Sequence, residues 1–108
     1  MKYDNSLVKG SVDLILLKML KTRTMYGYEI IRTVNDLTDG RFVWKEGSLY
    51  PALHRLEINK LIIGEWQVND GERPRRYYIL TRKGVKALTE KSEQWSDFSA
   101  TVNSLLRT

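Results

Sequence analysis

The spacing of apolar residues changes along the chain, and each change marks a new element. Ser6 or Asn5 can cap a first helix that reaches about Lys21. Its second half, LILLKML from Leu14 to Leu20, is apolar nearly all round. Such a helix must be covered on more than one side, and in so short a chain a partner subunit is the economical cover. Lys21 to Met25 reads as a polar turn. YGYEIIRTVNDLT then places Tyr26, Ile30, Val34 and Leu37 at near-helical intervals, which predicts a second helix ended by Asp39-Gly40. Gly27 near its start allows close approach to a neighbouring backbone. Phe42, Val43 and Trp44 form a short extended piece that could pair with a hairpin further on.

The stretch EGSLYPALHRLE, Glu46 to Glu57, is the centre of the pattern. Leu49, Ala52, Leu53 and Leu56 fall on one stripe of a helix and give it a core-facing side. Ser48, Tyr50, Pro51, His54 and Arg55 fall on the other side, a mixture of hydrogen-bonding groups, a ring and a cation that suits base edges and phosphates. Pro51 is tolerable in a first turn, and Ser48 is a candidate N-cap, so the helix should begin near Gly47 or Ser48. That puts Ser48 and Tyr50 at the N-terminal end, which attracts phosphate and commonly enters a major groove. An ordinary amphipathic core helix has the same stripe.

LIIGEWQV and RRYYIL are β-prone runs joined by Asn69, Asp70, Gly71, Glu72, Arg73 and Pro74, which predicts a hairpin with Pro74 marking an edge position. Thr81 caps a long last helix in which Leu88, Trp95 and Val102 are seven apart, with Phe98 and Leu105 each three residues beyond Trp95 and Val102. This is a coiled-coil-like seam. The expected architecture is mainly α with a small β-hairpin wing: a winged helix-turn-helix over 1–80 and a long C-terminal dimerisation helix over 81–108. The alternative is a monomer in which the last helix folds back on the body.

Composition narrows the chemistry. The 108 residues hold no cysteine and a single histidine, His54, which leaves thiol catalysis, disulfides and zinc sites without ligands. No glycine-rich phosphate loop or paired-carboxylate motif is present, so an enzyme is not expected, nor a cofactor or metal. No apolar run reaches the roughly 18 to 20 residues of a membrane span, and the N-terminus lacks a leader-like apolar stretch, which suggests a cytoplasmic protein without membrane contact. The formal net charge is +5. Arg73, Arg75, Arg76, Arg82, Lys83 and Lys86 follow one another with no intervening acid, and such a run favours an anionic partner.

Three of these segments carry a resemblance. YGYEI at 26–30, GSLYPALHRLE at 47–57 and ERPRRYYILTRKG at 72–84, in that order and spacing, resemble the PadR family of winged-helix transcriptional regulators. The resemblance covers nearly the whole chain. It implies a homodimeric repressor on a palindromic DNA operator, held together through the first and last helices. The residues assigned to that interface are Leu16, Leu17, Leu88, Trp95, Phe98, Val102 and Leu105. DNA contacts fall to Tyr28, Ser48, Tyr50, Pro51, His54, Arg55, Arg73, Arg75 and Arg76, although an aromatic at position 28 is more often a core residue. Some relatives bind small aromatic effectors at the dimer interface, where Trp95, Leu14 and Phe98 would lie here; Trp95 as a plain interface anchor is the other reading. A winged helix that binds only protein is the alternative for the whole chain. The chain departs from the family at Lys60, where glycine is common, and Asn59 is the candidate for the left-handed turn.

Overall fold

The computed structural model describes residues 3–108, so the first two residues of the 1–80 unit lie outside the described residues. The order is α1 (Asn5–Thr22), β1 (Met25–Tyr26), α2 (Gly27–Leu37), α3 (Glu46–Ile58), β2 (Ile62–Gln67), β3 (Arg75–Leu80) and α4 (Arg82–Leu106). Three helices followed by a hairpin and a long helix make a winged-helix fold. The stripe of α3 forms as its spacing requires: Leu49, Ala52, Leu53 and Leu56 are all buried. They meet Leu16, Leu17 and Leu20 of α1, Ile30 and Val34 of α2, Ile62 of β2 and Leu88 of α4 in one core.

This core revises the expected interface. Leu16 and Leu17 are 0% exposed and Leu88 is 5% exposed within the single chain, so they are used internally and offer nothing to a partner. The seam beyond Leu88 is different. Trp95, Phe98 and Leu105 stand exposed on α4, which helps stretch the molecule to 58 Å along its longest axis. On α2, Ile30 and Val34 are buried, but Leu37 in the last turn is exposed.

The sheet has the order β1-β3-β2, with Ile62 opposite Leu80 and Gln67 opposite Arg75. The third strand is Met25–Tyr26, paired with Tyr78 and Tyr77, and not the Phe42–Trp44 piece. Trp44 instead turns inward, 7% exposed, with the Phe42 ring edge-on at 6.3 Å. Pro74 therefore precedes the central strand, not an edge strand. It is tolerated because β1 is only two residues long and ends its pairing at Tyr77, leaving that side of β3 open near the hairpin mouth.

Helix α3 also starts earlier than expected. Lys45 is the N-cap, and its carbonyl accepts from the N–H groups of both Ser48 and Leu49 at 3.0 Å. Ser48 is thus inside the helix, and Pro51 lies in the second turn, where its missing N–H leaves the Gly47 carbonyl without its helical donor. At the other end, Lys60 itself takes the left-handed conformation at φ 62°, while Asn59 stays at φ −80°. The Lys60 N–H donates to Glu57 and the Leu61 N–H to Leu56, the paired bonds of a Schellman turn. Thr81 caps α4 as expected, accepting from the Gly84 N–H at 3.0 Å.

Gly84 is where α4 crosses this turn: a Cβ there would stand 2.1 Å from the Leu61 carbonyl oxygen. Gly84→Ala should destabilise the fold by about 1–3 kcal/mol, the usual range for overpacking. Lys60→Gly should stabilise it by roughly 1 kcal/mol by removing the cost of a side chain at positive φ. Urea melts of the two variants beside the parent check both signs.

Candidate nucleic-acid interface

With its leucine stripe inward, α3 leaves Gly47, Ser48, Tyr50, Pro51 and His54 exposed. Tyr50 is 42% exposed, and its ring rests on Gly27 at the start of α2. A Cβ at Gly27 would lie 2.5 Å from the Tyr50 hydroxyl oxygen, so this glycine makes room for a ring and not, as expected, for a neighbouring backbone. Burial pushes the Tyr50 phenol above its ordinary value, and the Glu46 carboxylate adds to the shift. The hydroxyl keeps its proton at neutral pH and can both donate and accept. An open groove of about 570 Å³ between α3 and the hairpin is lined by Tyr50, His54, Glu57, Ile58, Arg76 and Tyr78.

The cations separate into two groups. Arg73 stands exposed in the hairpin loop. Arg75 lies 4.5 Å over the Tyr26 ring, donates to the Tyr26 hydroxyl at 3.1 Å and pairs with Glu72 at 3.5 Å. Arg76 pairs with Glu57 at 2.5 Å and lies over the Trp66 ring. Arg55 leaves the edge it was expected to share with His54. Successive helical residues diverge by about 100°, and Arg55 points the other way, to Asp13 of α1 at 2.6 Å. Tyr28 is 54% exposed, with the Arg32 guanidinium 5.6 Å from its ring centre, so the core alternative for Tyr28 fails.

A second open cleft, of about 730 Å³, lies between α1 and α4. Leu14, Trp95 and Phe98 line it together, with Asp13, Arg55 and Lys91 at its polar side. The Trp95 and Phe98 ring centres are 6.3 Å apart. Val102 is half-buried and Leu105 exposed further along α4. Two residues of these sites, Asp13 and Gly64, were not expected from the sequence. Only the last carried a local signal, since glycine inside a β-run often marks a close approach. Among the described residues no group of His, Asp or Glu gathers to hold a metal ion, and no helix is long and apolar enough to cross a membrane.

The comparisons agree with this geometry. Residues 16–90 match the Transcriptional regulator PadR-like family. The structure of a transcriptional regulator from Clostridium thermocellum superposes with a TM-score of 0.87 at 34% identity, over 94% of this chain and 96% of that one. A PadR-like transcriptional regulator from Bacillus cereus gives 0.81 at 34% identity, over 96% and 99%. The transcriptional regulator YqjI of Escherichia coli is 31% identical over 79% of this chain, which spans only 39% of that longer protein. The fold and its exposed helix edge define a winged-helix regulator. The chain belongs to the PadR-like family of transcriptional regulators.

The two tyrosines beside α3 give a pH dependence. Burial raises the Tyr78 phenol as it does that of Tyr50. A raised folded value means that the native state holds these protons longer than the unfolded chain does. Their contribution is then fully present below the unfolded value of about 10 and is lost as pH rises through the folded one. Urea melts between pH 8 and 11 should show stability falling from near pH 10, and Tyr78→Phe should shallow that fall.

Proposed function

We propose that the chain is a homodimeric, sequence-specific DNA-binding repressor of a palindromic operator, acting in the cytoplasm. The observation that carries this reading is the exposed edge of α3, Ser48, Tyr50, Pro51 and His54, set beside a hairpin whose loop presents Arg73. Base reading falls to the α3 edge and attraction to phosphate falls to Arg73. Tyr28 and its neighbour Arg32 add a flanking phosphate contact. The 81–108 unit supplies the dimer through Trp95, Phe98, Val102 and Leu105. These large apolar side chains cover no part of their own chain's core, and a two-fold copy buries them.

The cleft beside Trp95 is the place for a small planar aromatic effector. Stacked between the Trp95 rings of two subunits, such a molecule shifts the spacing of the two α3 helices and releases DNA, provided that it prefers one spacing. A winged helix that binds only protein tends to carry an acidic or apolar surface where this chain presents an exposed arginine at the wing tip.

Fluorescence anisotropy with a labelled duplex from the chain's own upstream region, against an unrelated duplex, tests the division of labour. Arg73→Ala should weaken both duplexes and reduce the salt slope by about 0.9 per lost phosphate contact. Tyr50→Phe and His54→Ala should reduce mainly the preference for the upstream duplex. Equal losses on both duplexes for every variant would contradict the assignment, and no binding of either duplex by the parent would favour the protein-only reading. Trp95→Ala should weaken dimerisation by about thirtyfold, the effect of removing an interface hot spot, read by sedimentation velocity. With Trp44 and Trp66 replaced, Trp95 emission should be quenched by planar aromatics that bind the cleft.

A further inference from the structure

We propose that Arg76 is a positioning residue, whose ion pair with Glu57 sets the angle between the hairpin and the DNA-reading edge of α3; this rests on the DNA-binding reading above. Glu57 lies in the last turn of α3 and lines the same groove as Tyr50 and His54. It follows them by seven and three residues, so all three share one side of the helix. Arg76 faces it from β3 at 2.5 Å. Among the described residues, this is the one ion pair that joins α3 to the hairpin.

The hairpin is shaped to hold this side chain. Arg76 is opposite Trp66 in the ladder, and its guanidinium crosses diagonally over Gly64. A Cβ at Gly64 would lie 2.5 Å from the Arg76 Nε and 2.6 Å from its Cζ, so the absent side chain is the channel in which the guanidinium lies. Trp66 covers it, with the ring centre 5.8 Å away. Arg76 is thus held by a carboxylate, a bare strand backbone and an indole. A planar guanidinium suits all three contacts better than a compact ammonium does. At the base of the hairpin Ile62 is buried, while further out Glu65, Trp66 and Gln67 are exposed. The Arg76–Glu57 pair is therefore the tie that continues onto α3 beyond the core.

Charge supports the same assignment. A carboxylate on the side of a helix that meets phosphates repels them, and its pairing with Arg76 removes that penalty. The Arg76 charge is spent on Glu57 and is not free for phosphate. Positioning and phosphate contact predict opposite results for two variants.

The full-length protein is first used to select its best-binding duplex from a random pool, and an unrelated duplex is the control. Glu57→Gln removes a negative charge. It should weaken the selected duplex about fivefold, the scale of a partly exposed ion pair, and leave the control unchanged or tighter. Arg76→Gln should weaken the selected duplex by a similar factor with the salt slope of the parent. The double variant should lose no more than either single one. Hydrogen exchange of the free protein reads the tie without DNA: amides of 63–67 should exchange faster in both single variants, with urea melts showing each still folded. Glu57→Gln tightening every duplex, with Arg76→Gln lowering the salt slope by about 0.9, would overturn the proposal and make Arg76 a phosphate ligand. Unchanged exchange at 63–67 would overturn it as well. A parent that selects no duplex would remove the DNA-binding reading, and this proposal with it.

Discussion

Burial of the α3 stripe is the constraint on which the rest of the structure depends. Leu53 is 0% exposed and Leu49 and Leu56 are 1% exposed, held by α1, α2 and the base of the hairpin. Each fully buried leucine contributes about 1.5–3 kcal/mol, so rotation of this helix about its axis is costly. The helical period then decides where the other side chains go. Tyr50, His54 and Glu57 are delivered to the hairpin side, and Arg55 to the cleft between α1 and α4. One short helix therefore borders the two clefts described above, and the pair of Arg55 with Asp13 ties its second side to α1.

The basic stretch after α3 has a structural use that its composition does not reveal. Arg75 and Arg76 fix the two faces of the hairpin to Tyr26 and Glu57. Lys83 donates to the Asn59 carbonyl, and the Thr81 hydroxyl donates to the carbonyl of Lys60 at the turn that ends α3. These contacts are individually modest, since partly exposed pairs are worth about 1 kcal/mol or less. They all join the hairpin and the start of α4 to α3 or to the strand beside it. Positive charge on this face is consequently concentrated at fewer free groups than six adjacent cations suggest, with Arg73 the one on the hairpin loop.

Much of this was legible in the residues themselves. The leucine stripe of α3, the two strands of the hairpin and the Thr81 cap follow from spacing and local propensity, and they appear where those place them. The failures have a common cause in long-range contact. Met25–Tyr26 becomes a strand because β3 is there to pair with it, and Trp44 turns inward because Phe42 packs beside it. Leu16 and Leu17 look like spare apolar surface until the α3 stripe covers them. The partners of Arg55 and Arg76 lie 42 and 19 residues away in sequence, beyond any local pattern. Lys60 shows the reverse case: it takes the left-handed turn itself, at φ 62°, although a lysine gives no local signal for that conformation.

The proposed function requires two α3 edges held at a set separation by paired α4 helices. A hydroxyl-radical footprint of the full-length protein on its own upstream region measures this directly. The expected result is two symmetry-related protected patches, centred about one helical turn of DNA (roughly 34–36 Å) or a multiple of it apart, occupied at two chains per duplex. Uniform cleavage along the whole region, or one unsymmetric patch filled by a single chain, would contradict it.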